Sequence, residues 1–297
     1  MKNFKTRTTG ILALVFAMFL LVPGILKAQD EDSTVEKKVD KPVRNPWGSS
    51  HLIETQNTIV WAPKTLEFVI QHRFGVINSE SFDLLGLYAS SNVRMGLNYG
   101  IFKNAQIGIG TTKDKKLQDL NWKYAILTQT RSGSMPIALT YYGNIQYDAR
   151  DSENFGAEGT TSSRISYFNQ LILGRKFSKK ISFQVTFNYA HYNFLDSAAT
   201  PDLDHDNFGI GIAGRFKVGS KTSILIEYDQ PLTTPDYIKY NLSLGVEIAT
   251  SSHTFQIFLT TYKGINYQEN LMFNRNDIAN GFSDILIGFN IIPRWNF

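Results

Sequence analysis

The stretch ILIGFNIIPRWNF, from Ile285 to Phe297, places Ile285, Ile287, Phe289, Ile291, Pro293, Trp295 and Phe297 at every second position. Successive side chains of a β-strand point to opposite faces, so one apolar face here runs to the final residue. Soluble proteins rarely end this way. Strict period two with an aromatic terminus, on a chain that opens with an export signal, predicts a transmembrane antiparallel β-barrel.

The export signal is read at the other end. Lys2, Lys5 and Arg7 precede an apolar run from Ile11 to Leu26, and Ala28 offers a small residue before the polar segment QDEDSTVEKK. Pro23 and Gly24 interrupt the run and leave it too short for a spanning anchor, so residues 1–28 are expected to be a cleaved signal peptide. Lys2, Lys5, Arg7 and Lys27 account for four of the 30 Lys and Arg, which leaves 26 basic against 26 acidic residues in the mature chain. A mature chain with no formal net charge gives no support to nucleic-acid binding. Cysteine is absent, which removes lipid-modified cysteine, disulfides and thiolate chemistry.

No run after residue 28 approaches the roughly 18 apolar residues of a membrane helix. Alternation takes its place. Leu66, Phe68, Ile70, His72 and Phe74 oppose Glu67, Val69, Gln71 and Arg73, and the pattern returns at Val93–Tyr99, Ile107–Ile109, Leu120–Ile126 and Ile137–Tyr147. It continues at Ile165–Leu173, Ile181–Tyr189, Phe208–Phe216, Ile224–Tyr228, Tyr240–Ile248, Phe255–Leu259 and Ile285–Ile291, which makes twelve strands. Short connections near 100–104, 132–136, 177–181, 217–221 and 250–253 alternate with long or moderate ones. An even count with that alternation puts short turns and both termini in the periplasm and long loops outside. Tyr99, Trp122, Tyr147, Tyr189, Tyr228, Tyr240 and Trp295 sit near strand ends, where a ring with a polar tip suits the headgroup region.

These features divide the chain into a signal peptide (1–28), a charged periplasmic lead with a possible lumen insert (29–64) and an outer-membrane β-barrel (65–297). Pro42 and Pro46 fit a disordered start to the lead. Residues 47–64, WGSSHLIETQNTIVWAPK, fit a lumen insert, a periplasmic flap or an additional strand equally. Pro293, which has no N–H to give the ladder, is expected to mark where regular pairing ends.

HRFG at His72–Gly75, the loop FDLLGLYASSN, VRMGLNYGIFKNAQIGIG at Val93–Gly110 and GINYQ at Gly264–Gln268 resemble an uncharacterised Bacteroidota family of outer-membrane β-barrels, a domain of unknown function. The resemblance covers residues 47–297 and implies architecture and location; it brings no activity. Phe297 looks like the C-terminal aromatic through which the barrel assembly machinery recognises its clients.

Inward positions include the charged Arg73, Arg94, Lys123, Glu227 and Glu247, beside Gln71, Asn98, Gln106, Gln146, Gln184 and Asn188. Such a lumen either lines a narrow aqueous pore or forms a satisfied salt-bridge network that plugs the barrel. Neutralising one charge should change ion selectivity in the first case and mainly lower stability in the second. PDLDHDN, with Asp202, Asp204, His205 and Asp206, carries acidic ligands, but Asn207 and Ala213 stand where an EF-hand needs Gly and Glu, so it reads as a solvated loop. A phospholipase of this architecture would need His and Ser in register on a strand, and neither His72 nor His191 has a Ser two residues away. An omptin-like protease would need a second Asp pair beside Asp204, His205 and Asp206.

The expected function is a small porin-like channel for polar solutes in the outer membrane of a Gram-negative bacterium. The alternative is a non-conducting barrel acting as an interaction scaffold through its loops or lead. A hydrolase is a lesser alternative. No catalytic residue, cofactor or metal is expected, and the expected partners are outer-membrane lipids, lipopolysaccharide and the assembly machinery.

Overall fold

A computed structural model describes residues 40–77, 84–156 and 159–297. The expected signal peptide, residues 29–39 of the lead and part of the loop near 77–91 lie outside the described residues. Twelve strands follow in order: β1 (Thr65–Val76), β2 (Asn92–Phe102), β3 (Ala105–Thr112), β4 (Leu117–Leu127), β5 (Ala138–Asp148) and β6 (Ile165–Lys176). Then come β7 (Ile181–Tyr192), β8 (Asp206–Lys217), β9 (Thr222–Pro231), β10 (Asn241–Ala249), β11 (His253–Thr260) and β12 (Leu286–Asn296), with one α-helix, α1 (Tyr267–Phe273), between the last two strands.

Each strand pairs antiparallel with its sequence neighbours, and β1 closes the barrel on β12 through pairs such as Thr65↔Asn296 and His72↔Phe289. Closure leaves no open edge, which hydrocarbon would not tolerate. The fold class and the strand count are those the alternation predicts. In β1 the residues Thr65, Glu67, Val69, Gln71 and Arg73 are buried inside, while Leu66, Phe68, Ile70, His72 and Phe74 form the outer face. Met95, Leu97, Ile109, Leu244 and Ile257 are between 41% and 64% exposed on the isolated chain. They belong to an outer apolar belt that only lipid covers.

Pairing does not stop at Pro293, as the sequence suggested. It ends there only toward β11, at His253↔Pro293, whereas pairing to β1 resumes with Glu67↔Arg294 and runs to Asn296. The missing N–H costs the ladder one local interruption rather than the strand's end.

Residues 40–46 lie along the β4–β5 turn. Val43 N donates to Gln129 O at 3.0 Å, Arg131 N donates to Lys41 O at 2.9 Å, and Pro42 bridges Thr130. That turn belongs to the end of the barrel with short connections, and from there the chain enters the lumen. Residues 47–64 therefore add no strand: residues 47–57 are mostly buried within the barrel, Ala62, Pro63 and Lys64 are exposed at its end, and β1 begins only at Thr65.

Candidate functional site

The insert is a tight turn. Leu52 N donates to Thr55 O at 2.9 Å, Asn57 N donates to Ser50 O at 3.2 Å, and His51 bridges Gln56. Having no strand partner, its peptide groups would be orphaned in the barrel interior, and the inward side chains supply what is missing. Glu227 accepts from Ile53 N at 2.8 Å and from Glu54 N at 3.1 Å. Arg73 Nη2 and Asn290 Nδ2 both donate to Ile53 O, at 3.2 and 2.7 Å. Lys123 Nζ donates to Ser50 O at 2.7 Å and Ile59 O at 3.2 Å, while Glu67 accepts from the amide and hydroxyl of Ser50. Trp47, Leu52 and Ile53 pack on Ala213, Leu225 and Phe258 of the wall.

A second plug enters from the end with long loops. Six of the seven residues of α1 are buried, a pattern that a surface loop helix does not show. Tyr267, Leu271 and Met272 pack on Tyr142, Phe168, Ile172 and Ala190 of the inner wall. Tyr267 donates its hydroxyl to Asp229, Asn188 Nδ2 donates to the same hydroxyl at 2.8 Å, and Gln268 Nε2 donates to Asn144 Oδ1 at 2.9 Å. Asn270 Nδ2 donates to Glu54 Oε1, so the two plugs touch.

All five candidate charges lie inside the barrel and none exceeds 9% exposure. Arg73, Lys123 and Glu227 hold the backbone of the insert. Arg94 forms a two-pronged pair with Asp119, Nε to Oδ2 at 2.8 Å and Nη2 to Oδ1 at 2.7 Å, and its Nη1 donates to Gln71 at 3.2 Å. Glu247 accepts from Arg215 Nε at 2.6 Å and from Gln256 at 3.3 Å. Gly96 and Gly110, paired across β2 and β3, make room for the Arg94 group. A Cβ on Gly110 would sit 2.3 Å from Arg94 Nη2 and 2.4 Å from Asp119 Oδ2. Gly110→Ala is therefore expected to push the pair apart and cost about 1–3 kcal/mol, read as a lower temperature of gel-shift unfolding; an unchanged temperature would refute the close fit.

Glu54, Glu67, Asp119, Asp229 and Arg215 carry as much of this network as the five candidates, and sequence reasoning missed them. Asp119 and Arg215 share the inward parity of Lys123 and Ala213, so alternation alone contained that signal. The participation of Glu54 follows only from the insert's position. Burial pushes the Glu54 carboxyl up to about 8 against the opposing charge of Arg73 and the hydrogen bond from Asn270. His51, likewise in the insert, is pushed down to about 3 by burial and by the charges of Lys123, Arg94 and Arg73. Among the described residues no group of three or more His, Cys, Asp or Glu converges to hold a metal. In the PDLDHDN segment, Asp206 instead accepts from Tyr189 at 2.6 Å and meets His191 Nδ1 at 2.8 Å.

A closed membrane barrel with a filled polar lumen is the class these features define. Residues 48–295 match the family described as Membrane bound beta barrel domain (DUF5777), and the chain belongs to that family. The match begins at Gly48, so the family's domain takes in the insert as well as the strands. No curated protein matches the chain. Among solved structures it is similar to the NanC porin, with 9% identity, 78% of this chain and 99% of that chain covered and a TM-score of 0.49. It is also similar to an outer membrane channel from Pseudomonas putida F1, with 12% identity, 80% and 97% covered and a TM-score of 0.48. A third is the KdgM porin in complex with disordered oligogalacturonate, at 5% identity, 78% and 99% covered and a TM-score of 0.45. The likeness is of barrel fold alone.

Proposed function

We propose that this protein is a porin-like conduit for polar solutes in the outer membrane of a Gram-negative bacterium, of the Bacteroidota kind its motifs resemble, closed at rest by its two plugs. Opening requires the 47–61 insert to withdraw toward the short-turn, periplasmic end, where both termini lie after signal-peptide removal. The reading gives the protein no enzymatic role. The apolar belt takes outer-membrane lipid and lipopolysaccharide, and Phe297 is the assembly machinery's contact.

One observation carries this reading. The wall behind the insert is polar, with Gln106, Gln170, Gln184 and Gln256 all turned onto insert atoms. Water can replace the insert as hydrogen-bond partner of such a wall, whereas an apolar wall would resist wetting. The density of the same bonds favours the second reading, a permanently sealed scaffold.

A reversible lock separates the two. A Cβ at Gly174 of β6 would lie 3.6 Å from the Cβ of Thr58 in the insert, inside the roughly 3.5–4.5 Å range of disulfides. Because the chain has no cysteine, Thr58→Cys with Gly174→Cys creates a single possible bridge. In planar bilayers the reduced protein is expected to give discrete conductance steps, and oxidation is expected to abolish them. Silence from a folded, reduced barrel would establish the scaffold. Conductance unaffected by oxidation would place the path elsewhere than through the insert.

A further inference from the structure

At the long-loop mouth the structure holds a cavity of about 580 Å³ between the β3–β4, β5–β6 and β7–β8 connections and one flank of α1. Its size falls in the ~300–1,000 Å³ range of small-molecule sites. Two ring pairs line it: Phe155 with Phe194, centroids 5.7 Å apart, and Tyr192 with Phe273, 4.9 Å apart.

Two of the three cations around these rings are paired with carboxylates. Lys115 Nζ lies 2.9 Å from Glu269 Oε1 and 5.0 Å from the Phe273 ring centre. Arg150 grips Asp148, with its Nη2 at 2.6 Å, and Arg164 donates to the carbonyl of Arg150 while lying 5.1 Å from the Phe155 ring centre. The exposed carboxylates of Glu153 and Asp196 also line the cavity. The four carboxylates of the lining, Asp148, Glu153, Asp196 and Glu269, outnumber its three cations, Lys115, Arg150 and Arg164, and so disfavour an anionic ligand.

Three polar groups of the lining are not matched, the Tyr192 hydroxyl among them. Gln146 and Glu269 line the cavity at 1% and 6% exposure, and Gln146 Nε2 and Glu269 Oε2 have no hydrogen-bond partner. A buried donor and a buried acceptor left open cost free energy that a ligand can return. A ligand's hydroxyls can accept from the first and donate to the second. Aromatic faces beside such groups suit a ring that carries C–H bonds on its faces and hydroxyls on its edge.

From this geometry we infer that the mouth cavity is a recognition site for a neutral saccharide unit, with Gln146 and Glu269 as its polar contacts and Phe155 as a stacking wall. Binding there needs no opening of the lumen, so it stands apart from conduction.

The test uses the mature full chain folded in detergent micelles on an array of immobilised neutral gluco-, manno- and galacto-oligosaccharides, alongside glycans containing uronate or sialate. The best-retained soluble glycan is then titrated by calorimetry against the unaltered protein, Gln146→Leu and Phe155→Ala. Retention of a neutral glycan is expected, with affinity falling about tenfold or more in each variant and the gel shift of Gln146→Leu unchanged. Retention of no glycan, or of acidic glycans only, overturns the inference. Affinity untouched in Gln146→Leu overturns it as well, and that variant keeps the test decisive should Phe155→Ala fail to fold.

Discussion

Asp119→Leu is expected to destabilise the folded barrel by about 3–5 kcal/mol, the cost of leaving a buried partner charge uncompensated. The Asp119 side chain is fully buried and accepts two bonds from Arg94, one from Asn121 at 3.1 Å and one from Asn144 at 3.2 Å. Removing it strands a guanidinium that Gln71 alone cannot satisfy. Replacing both partners, Arg94→Met with Asp119→Leu, is expected to recover most of the loss, because the desolvation cost of both charges disappears together. The measurement is urea unfolding in detergent followed by gel migration. A single variant within about 1 kcal/mol of the unaltered protein would mean that solvent already reaches the pair. Single-channel selectivity of the same variant separates the two fates foreseen for the inward charges: a structural pair leaves selectivity unchanged in whatever protein still folds.

The barrel was readable because its two solvents differ. Lipid outside and polar groups inside impose opposite demands on successive residues, so Leu66/Glu67 or Ile70/Gln71 report the fold locally, one residue at a time. The contents of the lumen impose no such period. His51, Leu52, Ile53 and Glu54 have no strand partner, and their burial depends on Glu227, Arg73 and Lys123 from three distant strands. No local rule reports that. GINYQ was legible as part of an outer loop but not as the start of an inward helix, although Tyr262, Tyr267, Leu271 and Met272 were a usable sign: four large apolar residues within a loop must find cover. The five charges share one face by parity, and so do Asp119 and Arg215, the strand partners of Arg94 and Glu247; the partners of Arg73, Lys123 and Glu227 were invisible because the insert that supplies them is not a strand.

The insert's own two titratable groups should make its seating depend on pH, with opposite limbs. Seated Glu54 holds its proton up to about 8 against an ordinary 4.5, facing Arg73 of β1, Glu227 and Asp229 of β9, and Tyr262, Tyr267 and Asn270 of the outer plug. Between about 4.5 and 8 the seated form therefore keeps a proton that the withdrawn form releases, so rising pH favours withdrawal across that window. Seated His51, facing Lys123, Arg94, Arg73 and the Ser50 hydroxyl, titrates near 3 against an ordinary 6.5. Between about 3 and 6.5 the withdrawn form takes up a proton that the seated form does not, so falling pH favours withdrawal there. The limbs oppose each other from about 4.5 to 6.5, which makes that the range of firmest seating. Of the insert's own two groups only Glu54 acts above 6.5, where it makes withdrawal rise with pH, by at most about tenfold per pH unit, until about 8. Hydrogen exchange of residues 47–61, corrected for its intrinsic pH dependence, reads this directly. Glu54→Gln cannot lose a proton, so it should abolish the alkaline limb and leave the acid one, whereas flat protection from 6.5 to 8 in the unaltered protein, or an equal slope in the variant, would show that Glu54 does not govern the plug.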